Sequence, residues 1–186
     1  MWIAYDSTLN VNGATLINNT STNQANILIS DDPIRTNTLN FSSGIFSENN
    51  GYYGNIINHN NLNIQGGSFY NNEAINSGGV VSNNGTLILS GGEMYSNKAG
   101  LYGGAIYNSA NGTITMTDGT IRNNQANFGG GIALGNETNT FTFNGGSIIN
   151  NVALTNGGGI YSELNGTYNY FSGNLSGNTP NDFIKE

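Results

Sequence analysis

Seven times along the chain a large apolar residue is followed three positions later by Asn: Leu16–Asn19, Phe46–Asn49, Phe69–Asn72, Met94–Asn97, Ile121–Asn124, Ile148–Asn151 and Leu175–Asn178. Successive pairs are 30, 23, 25, 27, 27 and 27 residues apart, so the second half keeps a strict period. Self-similarity at this interval marks a stacked-repeat architecture, in which each unit buries its apolar face against its neighbours. Such a scaffold has no chemistry by default, and function has to be argued from particular side chains.

The rest of the period supplies two further apolar segments. One opens with glycines, as in Gly78-Gly79-Val80-Val81, Gly103-Gly104-Ala105-Ile106, Gly129-Gly130-Gly131-Ile132 and Gly157-Gly158-Gly159-Ile160. The other alternates, placing Leu87/Leu89, Ile114/Met116, Phe141/Phe143 and Tyr168/Tyr170 on one face of a strand. A small residue, Ala74, Ala99, Ala126 or Ala153, follows two places after the Asn. The pattern predicts an all-β parallel β-helix of about seven coils of 23–30 residues, with three short strands per coil separated by Gly/Asn bends. At a coil spacing of about 4.8 Å this is a rod of roughly 33 Å. Neither the hairpin-rich blades of a propeller nor a leucine-rich repeat signature is present.

Stacking gives the Asn a role. At an inward bend its amide serves backbone groups and the Asn of the next coil, and Asn19, Asn49, Asn72, Asn97, Asn124, Asn151 and Asn178 then form one ladder. Exposed turn asparagines would not need an apolar residue three places earlier in every coil. Asn124→Ala is accordingly expected to destabilise far more than Asn136→Ala.

Phe46-Ser47-Glu48-Asn49 and Phe69-Tyr70-Asn71-Asn72 read as FxxN, and Gly103-Gly104-Ala105-Ile106 reads as GGAI. Over nearly the whole chain these paired motifs resemble the repeats of polymorphic outer-membrane proteins and the adhesin-like β-helix surface proteins that share them. The resemblance implies a right-handed β-helix at the cell surface or outside the cell, as in an autotransporter passenger. A host or neighbour-cell surface glycan or protein is the partner expected of such an adhesin-like side wall, although the motifs themselves are only weakly specific for any ligand. The chain departs from the family in carrying Leu, Met or Ile at most FxxN phenylalanine positions, and no C-terminal membrane barrel is read in it.

Composition narrows the field. Gly (28), Asn (37), Tyr (10) and Phe (8) fit tight bends around a packable interior rather than a disordered chain. With a net charge of −7 and only Arg35, Lys98, Arg122 and Lys185 positive, nucleic-acid binding is not expected. No apolar run is long enough for a membrane helix, so no membrane insertion is expected of this segment, and Met1–Asp6 has neither the basic nor the apolar region of a signal peptide. Cys is absent, which excludes disulfides and thiolate metal sites. The chain reads as one solenoid segment over 1–186: irregular coils over 1–60, regular coils over 61–178 and a polar tail over 179–186. Because Ile3–Leu9 matches the spacing Val81–Leu87, the start reads as a second strand lacking its first, as in a piece of a longer surface protein.

No catalytic, cofactor or metal residue is assigned. The eleven acids are scattered about one per coil, whereas glycosidic chemistry needs two carboxylates within about 5–10 Å. Asp31-Asp32 is the only adjacent pair and reads as a solvated loop, and His59, the sole His, as an exposed loop residue. Asp118 reads as a bend residue, and Glu73 and Lys98 as a surface ion pair across coils. The glycine pairs lack a P-loop Lys and a following helix. Thr113, Thr115 and Thr117 suggest an ice-binding row that Ile88 and Asn169 interrupt. Eight N-x-[ST] sites, Asn84 and Asn165 among them, read as bends that become glycan acceptors only in a glycosylating host. One strip stays as a ligand face, Tyr70, Tyr95 and Arg122, which alignment places in one outward row. The leading expectation is a non-enzymatic adhesin-like scaffold. The alternative is a fragment of a polysaccharide lyase, glycoside hydrolase or phage tail-spike with its catalytic coil elsewhere, which would show acidic clustering and a groove that this sequence does not suggest.

Overall fold

The computed structural model describes residues 1–31, 34–109, 111–135, 138–163 and 165–186. Asp32 and Pro33 of the acidic loop, and Asn136, the exposed comparison chosen above, lie outside the described residues. Within them the chain is all-β without a helix, a parallel solenoid of about seven turns, as the repeat predicts.

Three walls run along it. Wall A stacks Trp2–Ile3, Ile27–Ile29, Ile56–Asn58, Val81–Asn83, Ile106–Asn108, Ile132–Leu134, Ile160–Ser162 and Phe183–Lys185, the strands from Ile56 to Ser162 being the glycine-led ones. Its first strand places Trp2–Ile3 in register with Leu28–Ile29, and its last lies inside the stretch read as a polar tail. Wall B holds the long strands Thr8–Ile17, Thr38–Ser47, Thr86–Tyr95 and Thr113–Arg122, with shorter pieces in the other coils. Wall C holds Asn50–Gly51, Glu73–Ala74, Lys98–Ala99, Gln125–Phe128 and Val152–Asn156.

The walls divide the period differently from the expectation. The alternating strand and the apolar–x–x–Asn strand belong to one wall, and the third wall is the short strand carrying Ala74, Ala99, Ala126 and Ala153. The junction is a bulge: register slips between Leu89 and Glu93, and Gly119 beside it holds φ +101°, a value that L side chains rarely adopt. The strand bends there without ending.

Glycine pairs open wall A for two reasons. Gly103 turns at φ +65°, and a Cβ on Gly104 would lie 2.1 Å from the Gly130 carbonyl oxygen of the next coil. Coils come this close only where one of them lacks a side chain.

The interior is a continuous apolar column. Leu87, Leu89, Ile114, Met116, Phe141 and Phe143 are buried as the alternation predicts, and Phe46, Phe69, Met94, Ile121 and Ile148 fill the column beside the ladder. Tyr168 is only partly buried and Tyr170 is 54% exposed, because the column has less chain above it in the final coil.

The asparagine ladder is complete. Each Nδ2 donates to Oδ1 of the next Asn, at 2.8 Å from Asn19 to Asn49 and 2.9–3.0 Å for the five steps up to Asn178. The second Nδ2 hydrogen reaches back to the carbonyl of the previous coil's apolar partner, as from Asn124 to Met94 O at 2.9 Å. The residue before every ladder Asn is left-handed, from φ 53° at Asn71 to 69° at Gly177, and this turn aims the amide inward. Asp182 ends the ladder: its Oδ1 accepts from Asn178 N at 3.0 Å and Nδ2 at 2.8 Å, standing where an eighth Asn oxygen would. A second, shorter ladder was not foreseen. Asn58, Asn83 and Asn108 link through Nδ2–Oδ1 contacts of 2.7 Å at the end of wall A, and the next coil has Leu134 in their register.

Candidate functional site

Two outward surfaces carry aromatic side chains. The first is the sequence-predicted strip, and wall B does bring its residues together: Tyr70 pairs in register with Tyr95, Tyr95 with Arg122 and Arg122 with Ile149. Parallel strands in register put identical positions one coil apart, which is also a stacking distance for rings. Tyr70 and Tyr95 therefore stack, centroids 5.1 Å apart and planes 14° from parallel, and the Arg122 guanidinium carbon lies 4.4 Å from the centre of the Tyr95 ring. Glu93 holds that guanidinium through contacts of 3.3 and 3.4 Å. Both faces of Tyr95 are thus occupied from within the protein, and Tyr95 covers one face of Tyr70.

The second surface is a lateral groove of about 630 Å³ along wall A, where the sequence suggested none. Its floor is the outward row of the wall, Trp2, Leu28, Ile57, Ser82 and Tyr107, each in register with the next. One lip is the position just beyond the strand ends, which brings Ser30, His59, Asn84 and Ser109 into line. The other comes from the segment leading into wall A, with Tyr53, Ser77, Leu101 and Tyr102. Trp2, Tyr53 and Leu101 are among the exposed large apolar residues, Trp2 at 61% and Tyr53 at 48%.

Hydrogen bonds organise the polar lip. Ser109 Oγ donates to Asn84 Oδ1, which turns the Asn84 Nδ2 group to His59 Nδ1 at 3.2 Å. An amide Nδ2 only donates, so this contact uses His59 Nδ1 as its acceptor and leaves Nε2 to the groove. His59 is half-buried in the groove rather than exposed in a loop, because it directly follows strand Ile56–Asn58. Asp31 also lines the groove, and no Lys or Arg does among the described residues.

An aromatic cluster closes one end. Tyr102 stacks on Tyr107 at 5.4 Å and on Phe128 at 5.5 Å, and Phe128 packs on Tyr161 at 5.0 Å. Burial, then the Glu163 carboxylate, raises the Tyr102 phenol above its ordinary value, and burial with Glu186 and Glu163 pushes Tyr161 up to about 12. These are acids held protonated, not groups poised for proton transfer near neutrality.

The remaining expected residues take structural places. Lys98 Nζ lies 3.6 Å from Glu73 Oε1, both exposed, as expected of a surface pair. Asp118 Oδ1 accepts from the Gly119 amide at 2.7 Å, a bend contact. Among the described residues no three His, Asp or Glu side chains gather where they could share a metal ion. The aromatic residues, though not the groove itself, had a signal in the sequence: one directly precedes the wall A glycine at Tyr53, Tyr102 and Phe128, and Tyr107 and Tyr161 each follow the wall A Ile. No family model, curated protein or solved structure matches the chain.

Proposed function

We propose that this chain is a non-enzymatic, adhesin-type solenoid segment that holds a ligand against its side wall, at the cell surface or outside the cell. The observation that carries the reading is the wall A groove. An aromatic-rimmed depression, open to solvent, lies on a wall whose strands are all locked in register. The FxxN and GGAI motifs add the resemblance to surface adhesins. The groove is also the specific observation that favours the alternative, a carbohydrate-active β-helix fragment. Asp31 is the only described carboxylate lining it, and cleavage there would need a second within about 5–10 Å.

Incubating the purified chain with cultured animal and bacterial cells, and separately with soluble polysaccharides, tests this. Saturable adherence with no released reducing ends or unsaturated sugars is the expected result. Product release would overturn the non-enzymatic reading. Binding to soluble polysaccharide without adherence to cells would favour the alternative, whose catalytic coil lies elsewhere, and binding to neither would overturn both readings.

A further inference from the structure

We infer that the wall A groove is a site for an uncharged oligosaccharide lying along the solenoid axis. This rests on the side-wall binding function proposed above and specifies its ligand.

Shape is the first argument. The floor runs through five successive coils from Trp2 to Tyr107, about 19 Å at the spacing of paired strands. A trough of that length and of about 630 Å³ suits an extended chain of several units better than one small molecule.

Chemistry is the second. A sugar ring presents C–H groups on its face and hydroxyls round its edge. The groove answers both: Trp2 and Tyr53 are exposed aromatics, while Ser30, His59, Asn84 and Ser109 line one side at one residue per coil. Asn and Ser each donate and accept, which matches hydroxyl partners better than the one-way preference of a carboxylate or ammonium. The opposite lip adds uncharged polar groups from Gln24, Asn76 and Ser77.

Charge decides which glycan. No Lys or Arg lines the groove among the described residues, Asp31 stands in it, and the chain carries a net −7. A sialylated, sulfated or uronate chain would meet unpaired carboxylate charge and no counter-charge. A peptide is disfavoured on different grounds. Strand addition needs an unpaired sheet edge, and the wall A strands from Ile27–Ile29 to Ile106–Asn108 are paired on both sides; the one open edge beneath the groove, at Trp2–Ile3, lies at its end and runs across its axis.

The test is a printed array of neutral gluco-, manno-, galacto- and N-acetylglucosamine oligomers beside sialylated, sulfated and uronate ones. It is probed with wild type, Trp2→Ala/Tyr53→Ala and Tyr70→Ala/Tyr95→Ala, each checked by thermal melting. Wild type is expected to bind a neutral class. The groove variant should lose at least tenfold with an unchanged melting temperature, and the wall B variant should stay within twofold. Should the groove variant melt early, Leu101→Arg at the exposed lip replaces it with the same expected loss. Preference for acidic spots, no bound spot, or loss only in the wall B variant overturns the inference. If wild type binds no neutral spot yet still adheres to cells, only the glycan assignment falls. If adherence is absent as well, the binding function falls with it.

Discussion

Asn124 shows how one residue type carries a solenoid. Its Nδ2 donates to Asn151 Oδ1 and to Met94 O, while its Oδ1 accepts from the Asn97 amide and from Asn97 Nδ2, each at 2.9 Å. Alanine there strands a carbonyl, an amide and two side-chain groups in a dry interior. Asn124→Ala should therefore cost on the order of 3 kcal/mol in denaturant unfolding, while Asn111→Ala at an exposed turn should stay within about 0.5 kcal/mol. Equal midpoint shifts would remove the ladder from the account of stability. The tyrosines make a second residue-scale case. Tyr168 has a buried hydroxyl without a hydrogen-bond partner, and burial pushes its pKa up to about 12, as it does for Tyr161. A phenol whose folded pKa is raised keeps its proton after the unfolded chain has lost it. Its contribution is whole below pH 10 and is lost as pH rises towards 12. Melts between pH 9 and 12 should show that decline, and Tyr168→Phe should flatten it while leaving stability at pH 7 equal or higher.

At the scale of the element, close approach of backbones sets what each strand opening tolerates. Gly104 lies against a carbonyl of the next coil, 2.1 Å from where a Cβ would sit, whereas Gly13 has nothing within 4 Å and pays only for φ +77°. Gly104→Ala should thus lower the melting temperature by several degrees more than Gly13→Ala, whose cost is about 1–2 kcal/mol. A reversed order would mean that conformation, not coil spacing, explains the glycine pairs. The same elements show what was legible. Wall A strands and the inward alternation could be read directly, because periods of two and of a full coil leave visible marks in sequence. The bulge could not: Ser90-Gly91-Gly92 is equally the turn between two strands or a slip within one, and only its pairing with Thr113–Arg122 decides. The Asn58–Asn83–Asn108 ladder was missed for a related reason, since it spans three coils and gives way to Leu134.

For the molecule as a whole, each coil touches chiefly its neighbours, so stability should behave as a sum of coil and interface contributions. Asn97→Ala and Asn124→Ala share a hydrogen bond and should be non-additive when combined, by about 0.5–3 kcal/mol. Asn49→Ala and Asn151→Ala stand several coils apart and should add within about 0.5 kcal/mol. Double-mutant cycles from urea unfolding measure both, and equal coupling in the two pairs would point to a single cooperative core instead.

The sequence by itself determined the parallel solenoid, the coil count and the seven-member Asn ladder, because stacking repeats identical demands at identical positions and selection for them leaves a period. Only the tertiary structure decided how the coil is divided among walls and which aromatic row is open. Tyr70 and Tyr95 are spent on each other and on Arg122, a consequence of register one coil apart. The groove arises where two segments far apart within each coil, the lead-in at Tyr53 and Leu101 and the strand ends at His59 and Asn84, rise on either side of wall A. No spacing along the chain records that relief, since it depends on the direction in which each bend leaves the wall.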